Sequence, residues 1–362
     1  MIKKLLLILL LIFIQINLFS YRAMACWFES NYIVILDLDE NGNLSVFNTI
    51  QLDNETENIL IPYSVDFAYT YYGYISIFNI ENHKDVYYLG FSELSYSTPY
   101  ATISSDDKYL IITHSVDACM KLFRINNDFS LTDIGNSLPI IFDLQHPEKH
   151  FAPIEYAESR YNNTIISNNY GLKQLCVLRR TEDEELIDTG QRISTEPYGV
   201  DGIVVMTPNG RFCYVSGGYL DTEATVYCEI LPDGEVIYKG AVIAGQKSSQ
   251  LNRITQDSKY FINFNPDVNC YKIEYDGSLT FIDSTGYFDM AQAFDVTPDN
   301  KYIVVSWNYN SYGQTVSVIR MYPDGTLEKL DKDQFFPGHF SDIRFIPTYV
   351  TSTDDEIWEM YK

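Results

Sequence analysis

Two histidines, His146 and His150, lie close together in the stretch QHPEKHF (145–151), and histidine is the side chain most often used for proton transfer. None of the five histidines of the chain lies in a helical run with the glutamate that a zinc protease motif requires. The chain also lacks a Gly-x-Ser-x-Gly nucleophile motif and a phosphate-binding glycine loop. Two interpretations stay open: a pair that a loop brings into a central pocket, or two ordinary loop histidines.

Asp37, Asp39 and Asn41, in the stretch DLDENG, are typical of the opening of a calcium loop, where alternating oxygen ligands surround a hard cation. The twelfth position of such a loop should be a bidentate glutamate, but here it is Asn48. The stretches YPDG, LPDG and EYDG occupy the same place in related segments, which indicates a hairpin turn. We therefore expect a turn, with a weak calcium site as the alternative, and no other cofactor.

The first 25 residues are typical of a secretory signal peptide. Lys3 and Lys4 precede an apolar run from Leu5 to Ile14, and Ala23-Met24-Ala25 provides a small-x-small cleavage signal. We expect a mature chain of residues 26–362 in a periplasmic or extracellular space. The run is shorter than the ~20 residues of a membrane span, so no transmembrane segment is expected. Cys26 would directly follow the cut, which makes it a candidate for lipid attachment and membrane anchoring.

Charge and cysteine content limit the partners. The chain has 25 basic and 49 acidic residues, a formal net charge of −24, so nucleic acid is disfavoured while cationic ligands and basic partners are favoured. An acidic surface also serves solubility alone. Cys213 and Cys228 lie on two strand-like runs around a predicted hairpin, where they could form a disulfide or remain two buried thiols. The absence of a CxxC pair disfavours structural zinc.

A repeated phrase organises the whole mature chain. TPDNKYIVVSW (297–307) has counterparts in SSDDKYLIITH (104–114), TPNGRFCYVSG (207–217) and TQDSKYFINFN (255–265), each a turn, a cation, an aromatic residue and a strand. A strand–turn–strand hairpin follows each phrase, so one period of 40 to 50 residues holds about four strands, typical of a propeller blade. The predicted blades span residues 60–92, 98–136, 150–190, 199–240, 249–284 and 291–330, with a seventh formed from 31–52 and 342–362.

The sequence therefore predicts an all-β, single-domain, seven-bladed β-propeller with four-stranded antiparallel blades. Joining the two ends of the chain in one blade closes the ring and pairs strand edges that would otherwise promote aggregation.

The pattern TPDNKYIVVSW followed by QTVSVIRMYPDGTLEKL resembles the blade of lactonase-type propellers, a family that includes 6-phosphogluconolactonase and the carboxy-muconate cyclising enzymes and has repeats of the YVTN/WD40 kind. The resemblance implies a channel site of one histidine, two arginines and one glutamate. Only Arg253 matches the family pattern directly. Gly202 and Gly218 stand at the positions of the other arginine and the glutamate, and His146 or His150 supplies the histidine only with altered spacing.

Two hypotheses about function follow. The favoured one is an exported, non-catalytic propeller that binds a protein, peptide or glycan through the channel mouth or the interblade loops. Aromatic residues in TYYGY (70–74), SELSYSTPY (92–100) and WNYNSYGQ (307–314) would suit such a surface, although most aromatic residues should pack between blades. The alternative is a lactone hydrolase or cyclising enzyme with a rearranged site built from Arg253 and His150 or His146.

Overall fold

The computed structural model describes residues 21–27, 30–62, 64–82, 84–92, 100–114, 118–169, 171–200, 202–217, 224–244, 251–288, 291–310 and 313–347. Regular structure within these ranges is entirely β-strand, and no helix there is long and apolar enough to cross a membrane. Gly218, most of SELSYSTPY and residues 348–362 lie outside the described residues.

The strands form seven antiparallel sheets arranged as the blades of a ring. Blade 1 contains β1 (Tyr21–Trp27), β2 (Ser30–Leu38), β3 (Leu44–Thr56) and, from the far end of the chain, β29 (Phe340–Phe345). Blade 2 contains β4 (Asn58–Leu60), β5 (Phe67–Tyr71), β6 (Ile75–Glu81) and β7 (Asp85–Ser92). Blade 3 contains β8 (Tyr100–Ile103), β9 (Tyr109–His114), β10 (Cys119–Ile125) and β11 (Leu131–Pro139).

The remaining four blades follow the same order from the channel outward. Blade 4 contains β12 (Pro153–Glu158), β13 (Thr164–Asn169), β14 (Gln174–Arg180) and β15 (Leu186–Ser194). Blade 5 contains β16 (Val204–Met206), β17 (Phe212–Ser216), β18 (Ala224–Ile230) and β19 (Val236–Ala244). Blade 6 contains β20 (Asn252–Ile254), β21 (Tyr260–Asn265), β22 (Asp267–Ile273) and β23 (Leu279–Thr285). Blade 7 contains β24 (Ala293–Val296), β25 (Tyr302–Asn310), β26 (Gly313–Met321), β27 (Leu327–Lys329) and β28 (Gln334–Phe336), which also pairs with β26.

The antiparallel order gives the ring two different ends. In each of blades 2–7, the turn between the first and second strands is called the inner turn, and the turn between the third and fourth strands is called the outer turn. Both turns lie at the same end of the ring, which is called the turn face. The opposite end, the loop face, carries the turns between second and third strands and the connections from one blade to the next. The connections between blades range from the single residue Glu57, between β3 and β4, to residues 140–152, between β11 and β12.

The repeated phrase joins neighbouring blades. The aromatic residue after the inner turn reaches the outer turn of the next blade: the Tyr260 hydroxyl donates to the Pro323 carbonyl at 2.8 Å, and Tyr302 donates to the Glu40 carbonyl at 2.6 Å. The outer turn of blade 7 lies so close to Tyr260 of blade 6 that a Cβ on Gly325 would lie 2.7 Å from Cε1 of that tyrosine. The tyrosine and the glycine of the repeat are therefore two halves of one interblade contact.

Ring closure by the two ends of the chain is confirmed, but the bounds of the closing blade need a correction. Within the described residues, which end at 347, the C-terminal segment supplies one strand of this blade, β29. The second strand, β1, comes from residues 21–27, which the sequence analysis assigned mostly to the signal peptide. Met24, Ala25 and Cys26 are fully buried between β29 and β2. Small and apolar residues suit a strand interior as well as a cleavage signal, so composition alone did not separate the two. The cleavage position itself stays a prediction.

Candidate functional site

A four-residue ion-pair network lies on the inner strands of three blades. Nε of Arg253, on β20, donates to Asp295 of β24 at 3.2 Å, and its Nη2 lies 3.5 Å from Asp342 of β29. Arg344, also on β29, donates to the second oxygen of Asp342 at 3.1 Å. Arg253 therefore reaches from blade 6 to blade 1 beside the central channel, and two carboxylates balance the two guanidinium groups.

The network also fixes the backbone of the inner strands. Asp295 accepts the Phe345 N–H at 2.7 Å, and Asp342 accepts the Ile59 N–H of blade 2 at 3.1 Å. Burial and the neighbouring Arg344 lower the pKa of Arg253 to about 10, so the group is still charged at neutral pH. The side chain of Arg253 is only 11% exposed. The arginine that matches the family pattern thus already has carboxylate partners within the protein.

The sequence analysis missed Asp295, Asp342 and Arg344. Asp295 follows Phe294 in the inner strand that precedes the TPDN turn, at the place that Arg253 occupies before TQDS. Comparing the same position of the repeat across blades would have indicated opposite charges on inner strands. The two residues of β29 had no such signal, because the closing blade departs from the repeated phrase.

His150 and His146 lie in the long loop-face connection between β11 and β12. His150 is fully buried, and its Nδ1 accepts the Asp143 N–H at 2.9 Å. The imidazole therefore holds this loop in place. His146 is exposed, with Nδ1 3.0 Å from the Asp143 carboxylate. The backbone of His150 also bonds to His146, Asn169 and Arg192, and its ring contacts Phe142. The part of the two histidines in catalysis stays a prediction.

The same connection exposes apolar side chains. Ile141, Phe142 and Leu144 are 48%, 67% and 59% exposed, and the Phe142 ring meets His150 edge-on at 5.9 Å. Tyr72 and Tyr74, of the predicted TYYGY cluster, are exposed on the same face of the ring. A buried histidine therefore supports a loop that presents large apolar groups to solvent.

The resemblance implies an arginine at Gly202, but the backbone of Ser216 lies too close to Gly202 for a larger residue. Its N–H donates to the Ser216 carbonyl at 2.8 Å, and a Cβ on Gly202 would lie 2.8 Å from that same oxygen. The backbone here is packed in a way that suits glycine rather than a side chain directed into the channel.

The carboxylate oxygens of Asp37 and Asp39, in the DLDENG stretch, are engaged within the protein. Asp37 pairs with Arg22 at 2.8 Å, and one Asp39 oxygen accepts the N–H groups of Asn41 and Asn43 at 2.9 and 2.7 Å. Asp39 and Asn41 thus form the outer turn of blade 1, as the hairpin interpretation expected. Within the described ranges, no group of three or more His, Cys, Asp or Glu side chains could hold a metal ion.

Cys213 and Cys228 are directly opposite one another on β17 and β18. Both are buried free thiols in this structure, as is Cys26, whose Sγ lies 3.8 Å from the Thr56 hydroxyl. Burial raises the pKa of the Cys228 thiol to about 12, which keeps it protonated and unreactive at neutral pH. Whether an oxidant links the pair stays a prediction.

Solved structures of the same architecture match nearly the whole chain. A provisionally assigned 6-phosphogluconolactonase from Bacteroides uniformis has a TM-score of 0.73 at 13% identity, covering 90% of this chain and 99% of that one. A second, from Bacteroides fragilis, has a TM-score of 0.71 at 15% identity, covering 90% and 98%. The periplasmic gluconolactonase of Pseudomonas aeruginosa has a TM-score of 0.69 at 14% identity, covering 91% and 100%.

No protein-family model and no curated protein matches the sequence. At these identities a structural likeness shows the fold alone. The chain is accordingly a seven-bladed β-propeller whose structural neighbours are 6-phosphogluconolactonase-like propellers.

Proposed function

We propose that this chain is an exported, non-catalytic propeller that binds a protein, peptide or glycan partner through its loop face. The observation that carries the proposal is the pairing of Arg253 with Asp295 and Asp342. An anionic lactone would have to compete with two carboxylates that are already in place, at a cost in desolvation and like-charge repulsion. The arginine is better suited to holding the inner strands than to holding such a substrate.

The loop face supports a binding role. Ile141, Phe142 and Leu144 lie in one connection that His150 anchors, and rigid apolar groups give contact area at a small entropy cost. Tyr72 and Tyr74 add amphipathic rings on the same face, which suit contacts with peptides and glycans.

The alternative function is a lactone hydrolase or cyclising enzyme with a rearranged site. The likeness to gluconolactonase-type structures favours it, with Arg253 as an anion-binding group and His150 or His146 as the proton-transfer group. This alternative requires a substrate that separates Arg253 from its carboxylate partners.

One experiment separates the two functions. Hydrolysis of a panel of sugar lactones and other lactones is followed by pH-stat, with the wild-type chain beside Arg253→Ala and His146→Ala. We expect no turnover above the buffer rate. Turnover that either substitution abolishes, in a variant that keeps its thermal unfolding transition, would refute the non-catalytic proposal.

Binding is tested on the same preparation. Phe142→Ser and Leu144→Ser change only exposed side chains, so the ring should stay folded. A partner identified by cross-linking to wild type should bind these variants more weakly, by about tenfold for a buried aromatic contact, and should bind Tyr322→Ser, an exposed aromatic on the turn face, as it binds wild type. Equal binding to all three variants would exclude the loop face as the contact surface.

A further inference from the structure

A pocket opens on the turn face between blades 5 and 6. Its volume is about 290 Å³, which gives room for one ligand of the size of a small ring. The inner turn of blade 5 (207–210) forms one wall, and the inner turn (255–258) and the outer turn (274–277) of blade 6 form the others. All three are tight turns between paired strands, so the pocket is built by the regular part of the fold.

Contacts between the two blades hold these walls in place. The Tyr214 hydroxyl of blade 5 donates to the Gly277 carbonyl, in the outer turn of blade 6, at 2.7 Å. A Cβ on Gly277 would lie 2.5 Å from Cδ1 of Phe212, which lines the pocket, so this turn is packed directly on the phenylalanine ring. Because the walls are already fixed, a ligand would bind without ordering them, which lowers the entropy cost of binding.

Ser258 lines the pocket and is unusual for its place in the repeat. It is only 7% exposed, and its hydroxyl is buried without a hydrogen-bond partner in the described part of the chain. Its φ is +57°, in the left-handed region that serine rarely adopts. Gly210 and Asn300 occupy the same turn position in blades 5 and 7, and both residue types tolerate that region better. The unpaired hydroxyl and the strained backbone both cost stability, so a structural role alone does not explain serine here.

The other polar groups of the pocket include donors and acceptors. Asn209 stands where the phrases TPDN, TQDS and SSDD have aspartate, and its Oδ1 is bonded within its own turn. Its Nδ2 donates to no residue among those that the structure describes. On the opposite wall, Nζ of Lys272 lies 2.8 Å from the Glu274 carboxylate, and both side chains are partly exposed. The two charged lining residues therefore balance, which favours a neutral, hydrogen-bonding ligand.

Tyr275 forms the rim of the pocket. The residue is 68% exposed, and the guanidinium of Arg211 lies 4.7 Å from the centre of its ring. This cation–π contact fixes the position of the ring while most of its surface stays open to solvent. An aromatic ring beside polar groups suits a ligand that carries both C–H surfaces and hydroxyls.

We propose that the pocket between blades 5 and 6 binds one neutral sugar residue of a glycan. One sugar hydroxyl supplies the partner that Ser258 lacks, other hydroxyls bond to Nδ2 of Asn209 and to the Lys272–Glu274 pair, and the C–H groups of the sugar ring lie against Tyr275. Each sugar hydroxyl donates and accepts, so it matches walls of mixed polarity on every side. A peptide backbone has one N–H and one C=O per residue and matches them less well. The site lies on the opposite face from the loops of the proposed function and outside the channel, so it depends on neither.

The test titrates the full chain with the methyl glycosides of glucose, galactose, mannose and N-acetylglucosamine, and saturation-transfer NMR measures binding. We expect at least one glycoside to bind saturably with a Kd of about 1–10 mM, as a few hydrogen bonds to a small ligand allow. Ser258→Gly should weaken that binding by about tenfold, the loss of one well-placed hydrogen bond. It should not lower the Tm of the unliganded protein, because it removes the left-handed serine and the unpaired hydroxyl together.

Asn300→Gly is the matched control. Asn300 has the same turn position in blade 7 and also a buried oxygen without a described partner, but it does not line this pocket. The substitution should leave glycoside binding within about twofold. Equal weakening by the two variants, or wild-type affinity in Ser258→Gly, would overturn the proposal. Absence of saturable binding by all four glycosides would do the same, and so would tighter binding of the peptide acetyl-Gly-Ser-Gly-amide, which would assign the pocket to polypeptides.

Discussion

Arg22 pairs with Asp37 through its Nε at 2.8 Å, and this contact joins β1 to β2 inside blade 1. The same guanidinium donates to the Lys84 carbonyl of blade 2 at 2.8 Å and lies 3.6 Å from the centre of the Phe47 ring. The Arg22 side chain is only 7% exposed. A residue that follows the apolar leader closely in sequence is therefore part of the folded ring.

The first prediction concerns the start of the mature chain. A chain beginning at Tyr21 should unfold cooperatively on heating, whereas a chain beginning at Cys26 should not, because β29 and β2 would lose the strand between them. Near-ultraviolet circular dichroism during heating distinguishes the two chains. N-terminal sequencing of the exported protein should place the cut before Tyr21. A cut after Ala25, with an equally stable product, would contradict both expectations.

The second prediction tests the interblade contact of the repeat. Gly325 has a φ of +88°, and a Cβ there would lie 2.7 Å from Tyr260, so Gly325→Ala should lower the free energy of unfolding by about 1–3 kcal/mol. Gly73→Ala is the control, since a Cβ on Gly73 would meet nothing within 4 Å. Urea unfolding measures both, and an equal effect of the two substitutions would refute the proposed contact.

The third prediction separates a structural from a catalytic Arg253. Arg253→Met leaves Asp295 and Asp342 with one cation fewer in a buried site, which should cost about 3 kcal/mol of stability. Asp295→Asn in the same chain removes one of the carboxylates that Arg253→Met leaves without a cation. The double variant should therefore lose less stability than the sum of the two single variants. Stability unchanged by Arg253→Met would show that the network does not hold the inner strands together.

The fourth prediction concerns pH. Burial raises the pKa of Glu158 from 4.5 to about 7, although Arg180 pairs with it at 3.0 Å and opposes the shift. A carboxyl group whose pKa is higher in the folded state contributes stability that is full below pH 4.5 and lost as the pH rises towards 7. Glu158→Gln should remove this loss, of the order of 1–3 kcal/mol. Unfolding free energies of the two proteins, measured across that range, should therefore converge at the acidic end. Parallel curves would mean that Glu158 does not titrate there.

The fifth prediction counts thiols. The chain has six cysteines, and all six are free thiols in the structure. A disulfide reagent should react with six thiols in denaturant after reducing purification and with almost none in the folded protein. Four reactive thiols after export, restored to six by a reductant, would show one disulfide, and loss of that disulfide in Cys213→Ser would assign it to the cross-strand pair of Cys213 and Cys228.

The sequence predicted the blades well because each blade repeats the same local signals. The turn, the cation, the tyrosine and the Asp-Gly pair recur on strands that pair with near neighbours, so Lys301 to Trp307 and its counterparts all lie where expected. Blade 1 was harder, because β29 and β1 are far apart in sequence and neither carries the full phrase.

The candidate site was predicted less completely. Arg253 could be found from its register before an inner turn, but its carboxylate partners lie 42 and 89 residues away on other blades. Which charges meet at the channel depends on the order and tilt of the blades, and a local pattern contains neither. His150 was chosen for its residue type, and no local pattern could show that it is buried and accepts the Asp143 N–H.

The position of β29 has a consequence for the biogenesis of the protein. Because the inner strand of the first blade is residues 340–345, the ring cannot close until almost the whole chain has emerged from the ribosome or the export channel. Until then β1 has a free edge of buried residues, which is a site for mispairing with other chains. Newly made protein should therefore depend on holding factors for the time that its last strand takes to arrive, and a chain truncated shortly before residue 340 should aggregate rather than form a six-bladed product.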